Sequence, residues 1–375
     1  MYNLNEMDKA WVDETWEKLD KKLKNVSVKS RDKIPYTTVN GVHNNMAVDD
    51  VTWWTNGFWA GLMWLMYVDT GDMRYKETAE RAEELLDAAF LEYDKLHHDV
   101  GFMWLLSSGV NYRLTGNKKS RMRTLYAADT LMGRYNPEGK FIRSWNGDDN
   151  KGWVIIDSMM NVPLLYMSSE EHDDPRYRYV AESHAHTLLR THIRDDGSVN
   201  HIVNLDLETG EVIESFGGQG YEDGSSWSRG QSWALYGYVL SYIRTGKQIY
   251  LDTAKKVAHY FIAAVAATDY VPRSDFRAPD TSIIDTTAGA CAACGLIEIA
   301  NSVGEHEKKM YLDAALKILK ALETYCDFTD ENDSVLQMGT EAYSRERGRH
   351  IPIIYGDYFF AEALYKLRGN DMLFW

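Results

Sequence analysis

Two aspartates in this chain stand in apolar company, which makes them candidates for proton chemistry. Asp157 lies near the middle of WVIIDSMMNVPLL (153–165), and Asp99 sits in LHHDVGF (96–102). Burying an ionised carboxylate without a partner costs several kcal/mol. Apolar neighbours therefore push a carboxyl pKa up, and general acid catalysis needs an acid that keeps its proton near neutral pH. Each residue also has a plain structural use, Asp157 satisfying first-turn N–H groups and Asp99 capping the helix after it. His97, His98 and Asp99 are metal-ligating types. Residues adjacent in sequence rarely converge on one ion, however, and no Cys/His cluster supports them, so no metal is expected. A serine nucleophile is not expected either. The segment DGSSWSRGQSW (223–233) lacks the Gly-x-Ser-x-Gly elbow and the strand that must lead into it.

Composition narrows the partners. The net charge of −15 is spread over helical segments, which disfavours nucleic acid and anionic membranes because both need basic surface. No apolar run is long enough to span a membrane. The first residues, MYNLNEMDKAWVDETWEKLDKKLK, read as an amphipathic helix and not as a signal peptide. Three cysteines are too few and odd in number for a disulfide framework, and Cys291 and Cys294 in TTAGACAACGLIEIA read as buried thiols. These features together describe a cytoplasmic protein. The 12 Trp and 24 Tyr residues fill a core and also suit a cleft that stacks on sugar rings.

The elements that must position the two acids show in a repeat. Four segments share a Tyr followed four residues later by Ala: Tyr75 and Ala79, Tyr177 and Ala181, Tyr250 and Ala254, Tyr311 and Ala315. Each continues with apolar residues at helical spacing and charges on the other face, as an outer helix should. KSRMRTLYAADTLM and the N-terminal helix fit the same role. Between them lie segments apolar on more than one face: TNGFWAGLMWLMYV, VGFMWLLSSGVNYRL, WVIIDSMMNVPLLYM, SRGQSWALYGYVLSYI, TTAGACAACGLIEIA and YGDYFFAEALYKL. A helix without a polar face belongs inside. Six inner helices alternating with six outer ones predict an all-α fold, a closed (α/α)6 barrel in one domain spanning 1–375. In such a ring the loops entering the inner helices face a common cavity. Those loops carry Trp54, Asp99, Trp145, Gln219, Arg229 and Arg345, a kit of flat faces and polar groups suited to sugars.

In their order along the chain, HHDVGF, IIDSMMNVPLL, DGSSWSRGQSWALYG and YGDYFFAEAL resemble the unsaturated glucuronyl hydrolases, glycoside hydrolase family 88. The resemblance runs from Trp54 to about Leu364. It implies an (α/α)6 barrel and an unusual reaction that needs no cofactor. Polysaccharide lyases leave a C4=C5 double bond on a terminal uronate, and this family removes that sugar by hydrating the double bond. The implied substrates are unsaturated uronyl disaccharides or oligosaccharides made from glycosaminoglycans. Carried over by motif, Asp157 is the general acid/base and Asp99 the second carboxylate. Trp54, Trp145 and Trp233 would line the sugar site, with His98 beside Asp99. His201, Gln219 and Arg229 would hold the uronate carboxylate and hydroxyls, Arg229 through a bidentate fork.

Some positions depart from the family pattern. Gly218 stands where a His often precedes the matched Gln, and Asn56 replaces an acid. Near the C-terminus, YSRERGRH replaces a Ser/Lys arrangement used for sulfated fragments. Arg345 and Arg347 there form either a solvated basic loop or a device that draws an anionic substrate to an acidic protein. Other readings stay open: the sister family that removes unsaturated galacturonate from rhamnogalacturonan fragments, a non-catalytic sugar-binding toroid, and a conventional glycosidase on the same barrel. The sequence carries no signal for oligomeric state.

Overall fold

The alternation of one-sided and all-apolar segments folds into two concentric rings. The structure, a computed structural model, describes residues 4–375. The outer helices are Glu6–Lys29, Met73–Leu86, Lys118–Met132, Pro175–Thr191, Gln248–Ala266 and Glu305–Glu323. The inner ones are Phe58–Thr70, Pro163–His172, Ser228–Thr245, Thr286–Ser302 and Ile354–Leu367, with one further run of three pieces. That run is Val100–Trp104, a π-helical turn Leu105–Gly109, and Val110–Thr115. The ring closes where Ile354–Leu367 packs against both Phe58–Thr70 and Glu6–Lys29. This is the (α/α)6 barrel that the repeat implies.

The repeated tyrosine has a physical meaning in this frame. Each one reaches from its outer helix to the outer helix before it in the ring. Tyr75 Oη donates to Asp20 Oδ1 (2.8 Å) and Tyr177 Oη to Asp129. Tyr250 Oη meets His186 Nδ1 at 3.0 Å, and Tyr311 Oη meets His259 Nε2 at 2.9 Å. The paired alanines are fully buried, so neighbouring helices approach closely.

Turns decide which end of the barrel holds the site. Inner helices hand over to outer ones through tight turns. Gly71, Gly116 and Gly246 sit at φ near +70°, a conformation that suits glycine, and Asp72 and Asn117 then cap the next helix. The outer-to-inner connections are all long, and they gather at the opposite end.

One segment departs from the expected pattern. WVIIDSMMNVPLLYM, read as a single inner helix, begins as the strand Trp153–Ile155 and continues as a 3₁₀ turn, Ile156–Met160. It becomes α-helical only at Pro163–His172, with Pro in the first turn, where its missing N–H costs nothing. The β-branched Val154 and Ile155 pair antiparallel with Val203 and Ile202, and Ile202–Leu205 pairs in turn with Val212–Phe216. This small sheet stands on the site face.

The other end is closed by the last residues. Trp375 is fully buried and parallel to Phe359 (ring centroids 6.0 Å apart), with Phe58, Phe102 and Tyr236 around it. Arg113 holds the carbonyls of Leu373 and Phe374, and Arg244 that of Trp375. Cys291 and Cys294 are buried free thiols, pushed well above the ordinary thiol range by that burial. Among the described residues no helix is long and apolar enough to cross a membrane. Truncating Trp375 to Ala is expected to cost about 3–5 kcal/mol. Urea unfolding of the variant measures it, and a loss under about 1 kcal/mol would mean that the tail does not seal the core.

Candidate active site

A cavity of about 280 Å³ opens at the loop-rich end, lined by Trp54, Asp99, Trp145 and Asp157 among others. That is the small end of ligand pockets, enough for one sugar ring with its neighbour at the mouth. Trp54 makes one wall, its ring 5.2 Å from Tyr355. Trp145 stands on another wall, 6.0 Å from Trp153.

The two aspartates reach this cavity from different inner elements, and Asn161 joins them. Its Nδ2 donates to Asp99 Oδ1 (3.0 Å) and to the Asp157 carbonyl (3.2 Å). Its Oδ1 accepts the Phe102 N–H at 2.9 Å, so every polar atom of the amide is used. The packing is close enough to require Gly101, where a Cβ would lie 2.6 Å from both the Asn161 Cα and its Oδ1. Asn161 was not singled out from sequence. The available signal was a lone amide one helical turn after Asp157, inside an apolar run.

The acids differ in charge because they differ in surroundings. Asp157 has 14% of its side chain exposed, and its Oδ1 is buried without a hydrogen-bond partner. Burial, reinforced by the charge of Asp99, pushes its pKa up to about 8 despite the nearby Arg229. Asp99 is also buried, which opposes its charge. His98, His97 and the Asn161 amide more than offset this and hold it below the ordinary carboxylate range. At neutral pH the pair therefore consists of one acid and one carboxylate.

The histidines complete the site. His98 Nε2 and His97 Nδ1 lie 3.4 and 3.3 Å from Asp99 Oδ2. Contrary to the expectation for adjacent residues, the three side chains do converge, all within 4.8 Å. Burial takes His98 down to about 4 and His201 to about 3, so both are neutral imidazoles near pH 7. His201 Nδ1 lies 3.0 Å from the Gln219 N–H and 3.2 Å from the Gly217 carbonyl, and its Nε2 is buried without a hydrogen-bond partner. That nitrogen lies 3.8 Å from Asp157 Oδ1. The glycine at 218 is explained by the same ring. With φ at +60°, its Cβ would meet His201 Nδ1 at 2.2 Å, so no larger residue fits there without displacing His201.

Several expected roles need correction. Trp233 does not line the cavity. It is fully buried one helical turn below Arg229, packed on Phe102, Tyr355 and Phe359. Arg229 lines the cavity, but both of its Nη nitrogens are already engaged and only Nε lacks a partner. Its Nη1 is bound to Asp285 Oδ2 (2.6 Å) and the Thr340 carbonyl, and its Nη2 to the Glu341 carbonyl (2.6 Å). Held between Trp227 (4.5 Å) and Tyr355 (5.3 Å), it supplies positive charge at a fixed place. Gln219 spends its Nε2 on the Glu341 carbonyl (2.7 Å). Arg345 stands at the mouth, whereas Arg347 lies outside in a shallow adjoining cleft. Asn56 is structural, its amide donating to the carbonyls of Asp50 and Val51. Trp227, Tyr355, Tyr36 and Glu341 are additional lining residues. Sequence reasoning passed over Tyr36, Tyr355 and Glu341 because long-range packing brings them in, whereas Trp227 lies in the DGSSWSRGQSW segment already singled out.

Known proteins are similar to this chain over nearly its whole length. An unsaturated glucuronyl hydrolase of Bacillus sp. (strain GL1) is 37% identical over 357 residues, covering 92% of this chain and 93% of that protein. An unsaturated chondroitin disaccharide hydrolase of Streptococcus pneumoniae is 34% identical, covering 88% and 86%. The crystal structure of the unsaturated glucuronyl hydrolase from Streptococcus agalactiae superposes with a TM-score of 0.90 at 32% identity, covering 100% of this chain and 95% of that one. No family model matches.

The raised pKa of Asp157 makes a stability prediction. The folded state binds a proton that the unfolded chain releases near pH 4, so stability falls as pH rises from about 4 through about 8. Asp157→Asn removes that penalty and should stabilise the fold by roughly 1 kcal/mol or more at pH 8, with little gain at pH 4. Thermal unfolding at the two pH values reads the difference, and an equal shift at both would argue against a proton held by burial. Sequence and fold agree from one end of the chain to the other, and on both counts this chain belongs to the unsaturated glucuronyl hydrolase family.

Proposed function

We propose that this protein removes the terminal 4,5-unsaturated uronate from lyase-generated glycosaminoglycan oligosaccharides by hydrating the C4=C5 bond. The observation that carries the reading is a carboxyl at position 157 kept protonated to about pH 8, beside a carboxylate and within aromatic walls. The substrate is an enol ether. Asp157 gives its proton to C4, and the positive charge that develops at C5 is shared with the ring oxygen. Asp99, ionised and fixed by Asn161, stabilises that charge. Water then adds at C5 and returns a proton to Asp157, which ends the step as it began. The product at C5 is a hemiketal; its opening gives a C5 ketone and a hemiacetal at C1, and collapse of that hemiacetal to an aldehyde breaks the bond to the neighbouring sugar and releases it. Atoms and charges balance with water as the only co-reactant.

Substrate orientation follows from the fixed groups. Arg229 places a positive charge near the uronate carboxylate without contributing a free fork. His201 places its Nε2 3.8 Å from Asp157 Oδ1, and Trp54 and Trp145 flank the ring. The related structures favour a glucuronyl substrate. A Streptococcus agalactiae variant is complexed with dGlcA-GalNAc6S, and another unsaturated glucuronyl hydrolase variant with dGlcA-Glc-Rha-Glc. We read residues 1–375 as one catalytic domain. The free cysteines suit a cytoplasmic setting.

Ultraviolet absorbance tests the reaction, because hydration removes the conjugated double bond. Loss of signal with chondroitin, heparin or hyaluronan disaccharides is the expected result, and Asp157→Asn should lower the rate at least 10²-fold. Loss only with a rhamnogalacturonan disaccharide would reassign the substrate. Arg345→Ala should weaken sulfated disaccharides about two- to fivefold more than unsulfated ones, the size of one exposed charge. Arg347→Ala, farther from the cavity, should have a smaller effect. Equal losses on both substrates would show that Arg345 does not read sulfate.

A further inference from the structure

Behind the wall that carries Trp145 lies a second cleft, of roughly 320 Å³, which shares no lining residue with the first. Its lining includes Tyr93, Arg134, Tyr135, Arg143 and Lys151, and no carboxylate. On a chain of net charge −15 this is a local reversal of sign. None of the three cations makes an ion pair among the described residues, although most surface cations of this protein do.

Their hydrogen bonds leave the charge unneutralised. Arg134 donates to the carbonyls of Arg143 (2.9 Å), Leu96 (3.3 Å) and Ser144 (3.0 Å), and to Asn146 Oδ1 (2.8 Å). Carbonyls satisfy N–H groups but carry no net charge. Arg143 donates to the Gly147 carbonyl and to Asn150 Oδ1 (2.9 Å), while its Nε is buried with no partner. Burial and the adjacent Arg143 together pull Arg134 down to about 10, although Tyr93 and the Asp99 carboxylate act the other way. Lys151 is exposed and free. Tyr93 presents a ring that is 61% exposed, and Tyr135 is held by its hydroxyl to Ser183 Oγ (2.7 Å).

We propose that this cleft is a non-catalytic site for an acidic saccharide. Its carboxylate or sulfate would lie among Arg134, Arg143 and Lys151, with its ring faces against Tyr93 and Tyr135. The anion half of the assignment stands on the unpaired cations alone. The saccharide half draws on the exposed ring of Tyr93 and the half-buried ring of Tyr135 beside it, and rests on the proposed function. A long acidic chain held here would keep its end near the catalytic mouth, which raises the local concentration of substrate ends.

Calorimetry on the full chain tests this with a saturated chondroitin sulfate tetrasaccharide, which has no double bond to hydrate. Inorganic sulfate and a desulfated, carboxyl-reduced tetrasaccharide serve as comparators. The site predicts binding of the acidic tetrasaccharide that weakens about tenfold in Lys151→Glu, and less in Arg143→Lys. Unchanged binding in Lys151→Glu, a change confined to this cleft, would overturn the proposal. Sulfate binding as tightly as the tetrasaccharide would overturn the saccharide assignment and leave an oxyanion site. Because the readout is binding, loss of hydrolysis activity in the absorbance assay would sink the proposed reaction without deciding this site.

Discussion

The amide of Asn161 is the contact on which the site depends. It ties the carboxylate of Asp99, at the start of one inner helix, to the backbone of Asp157, just before the next. Both of its donor bonds go to the two aspartates, and its acceptor faces Phe102 in the adjacent turn. An amide used in full has one orientation, so the two acids cannot drift independently. The close passage at Gly101 makes this possible, and the aromatic column from Phe102 to Trp375 supports it from below. The whole barrel thus bears on the relative placement of two carboxyl groups.

Their division of labour follows from what surrounds each. Asp157 has an apolar setting, an unpartnered oxygen and a neutral imidazole beside it. Asp99 has a hydrogen-bond donor on one oxygen and two histidines on the other. Close carboxyls resist ionising together, and this asymmetry decides which one keeps the proton. Arg229 sits near enough to Asp157 to favour its charge, yet burial prevails. The guanidinium is itself bound to Asp285 and two carbonyls, so it contributes a field and not a mobile partner.

The barrel was legible because it is written in local patterns. Inner helices lack a polar face, outer ones have one, and a recurring Tyr links consecutive outer helices. Both aspartates stood out for the same reason, as charges in apolar stretches. What escaped was long-range or a matter of direction. The strand Trp153–Ile155 was taken for helix because a short apolar run has no decisive period, and only its pairing with Ile202–Asn204 makes it a strand. Trp233 had a suitable residue type, but it lies one turn past Arg229 and so falls below the cavity floor. The partners of Arg229 lie 56, 111 and 112 residues away in the chain, beyond any local pattern.

The central claim is that Asp157 stays protonated at neutral pH because it is buried beside an ionised Asp99. Infrared difference spectroscopy of the protein against Asp157→Asn, followed from pH 5 to pH 9, observes that proton directly. The account predicts a protonated carboxyl C=O band that persists through pH 7 and disappears near pH 8. A carboxylate band at Asp157 already complete by pH 6 would contradict it, and the assignment of the general acid would have to move elsewhere.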